Sequence, residues 1–129
     1  MKNVKGTVLI VEDEPEIRTV LGQLLEQFGY RVIGATNGKA ALEILESTAS
    51  PTAILLDMMM PIMNGDTFLE VLNSHSDLSE IPVIQMSAAL LEKHKSACCA
   101  IDKPFGIEKL IYLLESCPKI AARVELTRH

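Results

Sequence analysis

Ala53-Ile54-Leu55-Leu56-Asp57-Met58-Met59-Met60-Pro61 is the stretch on which the fold turns. Four apolar residues in a row, with no polar alternation, suit a strand buried on both faces of a parallel sheet. A carboxylate directly after such a strand stands at its carboxyl end, where open α/β sheets place their ligands. Pro61 and Asn64-Gly65 then mark a structured loop before the next helix.

Outward from this strand the same alternation recurs. Thr7–Val11 is a short β-branched run, read as a first strand. Glu12-Asp13-Glu14 is acidic, and Pro15 suits a first helical turn. Ile17, Val20, Leu21, Leu24, Leu25 and Phe28 follow at three-and-four spacing, one apolar face of a first helix. Gly29 ends it. Arg31–Ala35 reads as the second strand, and Asn37-Gly38 caps a helix carrying Ala41, Leu42, Ile44 and Leu45. A third helix turns Phe68, Leu69, Val71 and Leu72 inward. Ile81–Met86 is the fourth strand, ending at Ser87, and Cys98–Ile101 the fifth, followed by Asp102-Lys103-Pro104. A last helix carries Ile107, Leu110, Ile111 and Leu114, and Pro118 is expected to end it.

Five strands alternating with helices imply an α/β fold, a parallel sheet covered on both faces. Right-handed crossovers leave few topologies, and the order 2-1-3-4-5 makes strands one and three neighbours. The 129 residues are expected to form one domain over 1–129, with a core at 6–117 and a tail or linker start at 118–129. A net charge of −5 argues against nucleic-acid binding by this domain. No apolar run approaches the ~20 residues that span a bilayer, and Thr7–Val11 is too short for a signal-peptide core, so a cytoplasmic location is expected. Cys98, Cys99 and Cys117 lack metal-site spacing. Adjacent Cys98 and Cys99 should alternate across a strand, so the three are read as small buried apolar residues rather than a redox switch. His75, His94 and His129 form no ligand pattern and are read as surface residues.

Glu12, Asp13, Asp57, Ser87 and Lys103 all fall at the carboxyl ends of these strands. Each alone has an ordinary explanation. The acids complement a helix dipole, Asp57 caps a turn, Ser87 is a loop hydroxyl and Lys103 a solvated charge. Met58-Met59-Met60 reads as packing. Together, at one edge of one sheet, the five form a set able to hold a cation and to accept a phosphoryl group and neutralise its charge.

Four segments carry a family resemblance: Val8–Glu14, Leu56–Gly65, Ile81–Ala88 and Lys103-Pro104-Phe105. In this order the chain resembles a receiver domain of the two-component response regulators. The resemblance implies that Asp57 is the phosphoacceptor and that Asp13 ligates Mg²⁺, joined by the backbone carbonyl of Met59. Glu12 would act through a metal-bound water. Lys103 would pair with a phosphoryl oxygen and Ser87 would donate its hydroxyl to another. The Lys103-Pro104 bond resembles the family's cis peptide, which would aim the ammonium inward. The implied partner is a histidine kinase or histidine phosphotransfer protein, docking on helix one, with an output partner that the sequence does not name. Such a domain assists its own phosphorylation and dephosphorylation and is not otherwise an enzyme.

Two departures stand out. Ala100 occupies the position, three before the lysine, where the family carries a switching aromatic residue. Only residues 88–97 remain between the fourth and fifth strands for a helix and two loops, so helix four, at Leu90–Lys95, must be short or reduced to a turn. Both fall on the family's usual output face. The expectation is that signal leaves elsewhere, by the loop after Asp57 or the face of helix one. The alternative is a phosphorylation-independent adapter of the same fold.

Overall fold

The structure is a computed structural model that describes residues 4–47, 50–88 and 92–127. Its order is β1 (Gly6–Val11), α1 (Pro15–Gln27), β2 (Tyr30–Ala35), α2 (Gly38–Ser47), β3 (Ala53–Asp57), α3 (Gly65–Asn73), β4 (Val83–Ala88), β5 (Cys99–Lys103), α4 (Ile107–Ser116) and α5 (Pro118–Thr127). All pairings are parallel, in the sheet order β2-β1-β3-β4-β5. This is the expected topology, with β3 at the centre and every one of its five residues buried.

Alternate residues of each strand feed opposite faces. Leu9, Val11, Ile54 and Leu56 pack with Leu45, Phe68 and Leu69 on one face. Val8, Ile10, Leu55 and Ile84 pack with Leu25, Leu110 and Ile120 on the other. Each fully buried Leu or Ile contributes about 1.5–3 kcal/mol relative to exposure. The loops are held by specific caps. Asn37 Oδ1 accepts from Ala40 N–H at 2.8 Å, and Asn64 Oδ1 accepts from Thr67 N–H at 2.9 Å. Gly65 is required where it stands, because a Cβ there would lie 2.7 Å from Met58 Cα.

The structure differs from expectation in four places. Ser87 lies inside β4, which runs to Ala88, rather than just beyond it. The apolar stripe of α1 is only partly buried: Val20 is 53% and Phe28 37% exposed, because that side faces an open cleft or solvent rather than the sheet. Residues 118–127, expected as a tail or linker start, form α5, and Ile120 is buried in the core. Proline drives its predecessor out of the helical region, so Cys117 is extended and ends α4, while Pro118 opens the next helix. Finally, Cys98 precedes β5 rather than lying in it, and Cys98 and Cys99 do not diverge: their sulfurs are 3.6 Å apart. Of the cropped fourth helix, Leu90 and Leu91 lie outside the described residues; Glu92–Lys95 is not helical.

Candidate functional site

Sheet register assembles the site. Val11 pairs with Leu56, so Glu12, the next residue, comes beside Asp57. Asp57 pairs with Met86, and Ala88 pairs with Lys103, so the lysine closes the same edge two strands away. Carboxylate oxygens of Glu12, Asp13 and Asp57 all lie within 4.8 Å of one another. Glu12 and Asp57 are buried, and Asp13 is half-buried. Lys103 Nζ donates to Glu12 Oε1 at 3.0 Å and stands 3.5 Å from Asp57 Oδ1. The Lys103-Pro104 peptide is cis.

Backbone and side-chain donors hold the acids in place. Met59 N–H donates to Asp57 Oδ1 at 3.1 Å while its side chain is 72% exposed. Glu14 N–H donates to Glu12 Oε2 at 3.3 Å, and Arg18 Nη1 donates to the Glu12 carbonyl at 2.6 Å. Burial pushes the Glu12 carboxyl above its ordinary value; Lys103 opposes this, and neighbouring Asp57 adds to it. Burial acts to lower Lys103, but its hydrogen bond to Glu12 and the charge of Asp57 outweigh that and leave it raised. Three clustered carboxylates form a hard-oxygen donor set, the chemistry that suits Mg²⁺ rather than a soft metal.

Ser87 is buried, and its hydroxyl lies 3.4 Å from Gln85 Nε2. Sequence reading passed over Gln85, although a polar residue amid Val83, Ile84 and Met86 was a visible signal. Its amide orientation follows from its partners. His94 N–H can only donate, so it takes Gln85 Oε1 at 2.8 Å; the Glu92 carbonyl can only accept, so it takes Nε2 at 3.0 Å. Ser87 Oγ is therefore an acceptor toward Gln85. Ala100 pairs with Gln85 in the sheet, on the same face. Ala100 presents only a methyl group there, and the Gln85 amide holds both the Glu92 carbonyl and the His94 N–H. An open cleft of about 780 Å³ adjoins Asp57 and Lys103, walled by Ile17, Val20, Leu24, Met59 and Phe105.

The family described as the response regulator receiver domain matches residues 8–115. The chain belongs to this family. Among curated relatives of this receiver, the probable transcriptional regulator ycf27 of Porphyra purpurea is 39% identical over 88 residues, 68% of this chain and 35% of that protein. The sensor histidine kinase TmoS of Ectopseudomonas mendocina is 38% identical over 109 residues, 80% of this chain and 11% of that one. The receiver thus spans about a third or less of these relatives' lengths. A solved receiver domain of a histidine kinase from Syntrophus aciditrophicus superposes with a TM-score of 0.79 at 30% identity, covering 91% of both chains. The receiver domain of a sensor histidine kinase from Pseudomonas aeruginosa PAO1, solved with a magnesium ion in its active-site cleft, gives 0.78 at 26% identity, covering 90% of this chain and 98% of that one. No helix among the receiver's described residues is long and apolar enough to cross a membrane.

Proposed function

We propose that residues 1–129 act as one phosphoacceptor receiver in histidine-to-aspartate signalling, phosphorylated on Asp57 with Mg²⁺. The reading rests on one observation above all: Lys103 Nζ reaches both Glu12 and Asp57 at the edge where three carboxylates converge. The Asp57 carboxylate attacks the phosphorus of a phosphohistidine or small acyl phosphate; the donor's bond to phosphorus breaks and its electron pair leaves with the donor. Asp13, Asp57 and the Met59 carbonyl, with Glu12 behind them, are the residues that would hold Mg²⁺, which when bound supplies positive charge for the phosphoryl oxygens. Lys103 supplies a further charge to one oxygen. Because Gln85 donates to Ser87 Oγ, the Ser87 proton is available to another. The chain assists this transfer and the later hydrolysis, and its net role is to change partner binding from a cytoplasmic location. The proposed phosphodonor partner is a histidine kinase or phosphotransfer protein docked on the cleft wall of α1; the output partner is a separate one. Neither nucleic acid nor membrane is a partner of this domain.

Incubation with Mg²⁺ and acetyl phosphate is expected to yield one acid-stable, base-labile adduct, absent from Asp57→Ala. No adduct on the wild type, or equal labelling of the variant, overturns the reading. Ala100 favours a second reading, a phosphorylation-independent binding module, and that is the outcome if the adduct forms without altering any partner contact.

A further inference from the structure

All three cysteines of the chain meet at one place, remote from Asp57. Cys98 Sγ lies 3.6 Å from Cys99 Sγ and 3.6 Å from Cys117 Sγ. Cys98 enters β5 from its amino end, whereas Lys103 leaves it at the carboxyl end; Cys117 is the joint between α4 and α5. Each is a free thiol, half-buried and so within reach of a small solute. Simple apolar packing explains a cysteine among aliphatic side chains. It does not by itself explain why the thiols of Cys98 and Cys117, 19 positions apart in sequence, touch each other. A thiolate metal site does not fit either. Among the described residues only Glu12, Asp13 and Asp57 bring three ligand atoms within 4.8 Å of one another, so the three sulfurs do not close into a ligand triangle, and Cys98 is the one in contact with both others.

Neighbouring residues across a trans peptide have Cα atoms about 3.8 Å apart. That is shorter than the roughly 4.4–6.8 Å that disulfides require. The Cys98–Cys99 pair is therefore the poor one and Cys98–Cys117 the good one. We propose that Cys98 and Cys117 are a thiol-oxidation site that closes to a reversible intramolecular disulfide, with a hydroperoxide as oxidant. A thiolate sulfur takes the terminal oxygen of the peroxide, whose O–O bond breaks; the products are a sulfenic acid and an alcohol, or water from hydrogen peroxide. A second thiolate attacks the sulfenic sulfur, the S–S bond forms, and the departing hydroxide takes up the thiol proton as water. Two thiols are oxidised by two electrons and one peroxide is reduced.

Cys99 lies outside the bond, because its Cα is a single peptide away from that of Cys98, too close for a disulfide. Cys98 touches both other sulfurs, so Cys117 is the thiol that resolves it once it is oxidised. The finished bond ties the entry of β5 to the joint between α4 and α5.

Treatment of the reduced protein with hydrogen peroxide, alkylation and non-reducing tryptic mapping tests this. The linked product joins the peptide 96–109 to the peptide 110–119 and disappears on reduction. Titratable thiols are expected to fall from three to one. Cys99→Ser retains the linked product, now assignable to Cys98 and Cys117 alone. Three surviving thiols in the wild type, over-oxidised cysteines without a cross-link, or cross-links only between molecules would each overturn the proposal. The wild-type measurement stands even if a variant fails to fold.

Discussion

Replacing Lys103 with methionine removes the ammonium and keeps an apolar stem of similar length. Nζ stands 3.0 Å from Glu12 Oε1 and 3.5 Å from Asp57 Oδ1. At an effective dielectric constant of about 20, these separations correspond to gross attractions of roughly 5.5 and 4.7 kcal/mol. Desolvation offsets much of that, and removing one member of a buried pair costs about 3–5 kcal/mol. The Lys103 side chain is 29% exposed, so solvent screens part of the charge. A loss of about 3 kcal/mol near pH 8 is expected. The loss depends on pH with a definite sign. Glu12 is raised in the folded protein, so the folded state holds its proton more tightly and stability falls as pH rises from 4.5 through the folded value. Lys103 is one of the groups pulling Glu12 down; without it the window widens upward, and protonated Glu12 no longer needs a cation. Urea unfolding at about pH 5 and about pH 8 separates the contributions. The deficit of Lys103→Met is expected to be smaller at the lower pH, with an unchanged denaturant slope. A deficit below about 1 kcal/mol at pH 8, or an equal deficit at both, refutes the view that this ammonium neutralises buried acids.

Gln85→Leu removes the partners of Glu92 C=O and His94 N–H. About 1–2 kcal/mol of stability should go, and the His94 amide should exchange much faster while that of Leu55 stays protected; unchanged His94 exchange would show that another contact holds the segment. Ile62 is 80% exposed at φ 70°, a left-handed conformation that a β-branched residue resists. Ile62→Gly should raise the unfolding free energy by roughly 0.5–1 kcal/mol after the entropy cost of glycine, seen as a higher urea midpoint, and a lowered midpoint would count against the strain. Ile120→Ala tests whether α5 is part of the fold: its side chain is 1% exposed, so a loss of about 2–5 kcal/mol is expected, against almost none if residues 118–127 merely trail.

The family and topology were legible because they rest on short-range patterns. An unbroken apolar run at 53–56 made a buried strand, Asn37 and Asn64 capped the helices that follow them, and the acids and lysine sat at strand ends in chain order. Once the strand order is 2-1-3-4-5, a parallel register carries Glu12, Asp57 and Lys103 to one edge with little freedom left. Their partners were not legible to the same degree. That Lys103 bonds first to Glu12, 91 positions away, depends on side-chain reach across three strands. Likewise the apolar spacing of α1 did not reveal that Val20 would face a cleft, because periodicity records a stripe and not what covers it.

Sequence alone therefore determined the fold class, the family and the residues of the candidate site, since each is encoded in local periodicity and in the order of polar residues after strands. Only the tertiary structure decided that residues 118–127 dock as a helix, that Gln85 ties residues 92–94 beside Ala100, and that Cys98, Cys99 and Cys117 meet. Those contacts join segments whose separation in the chain carries no repeating signal. They come from how helices settle on a twisted sheet, which a one-dimensional pattern does not specify.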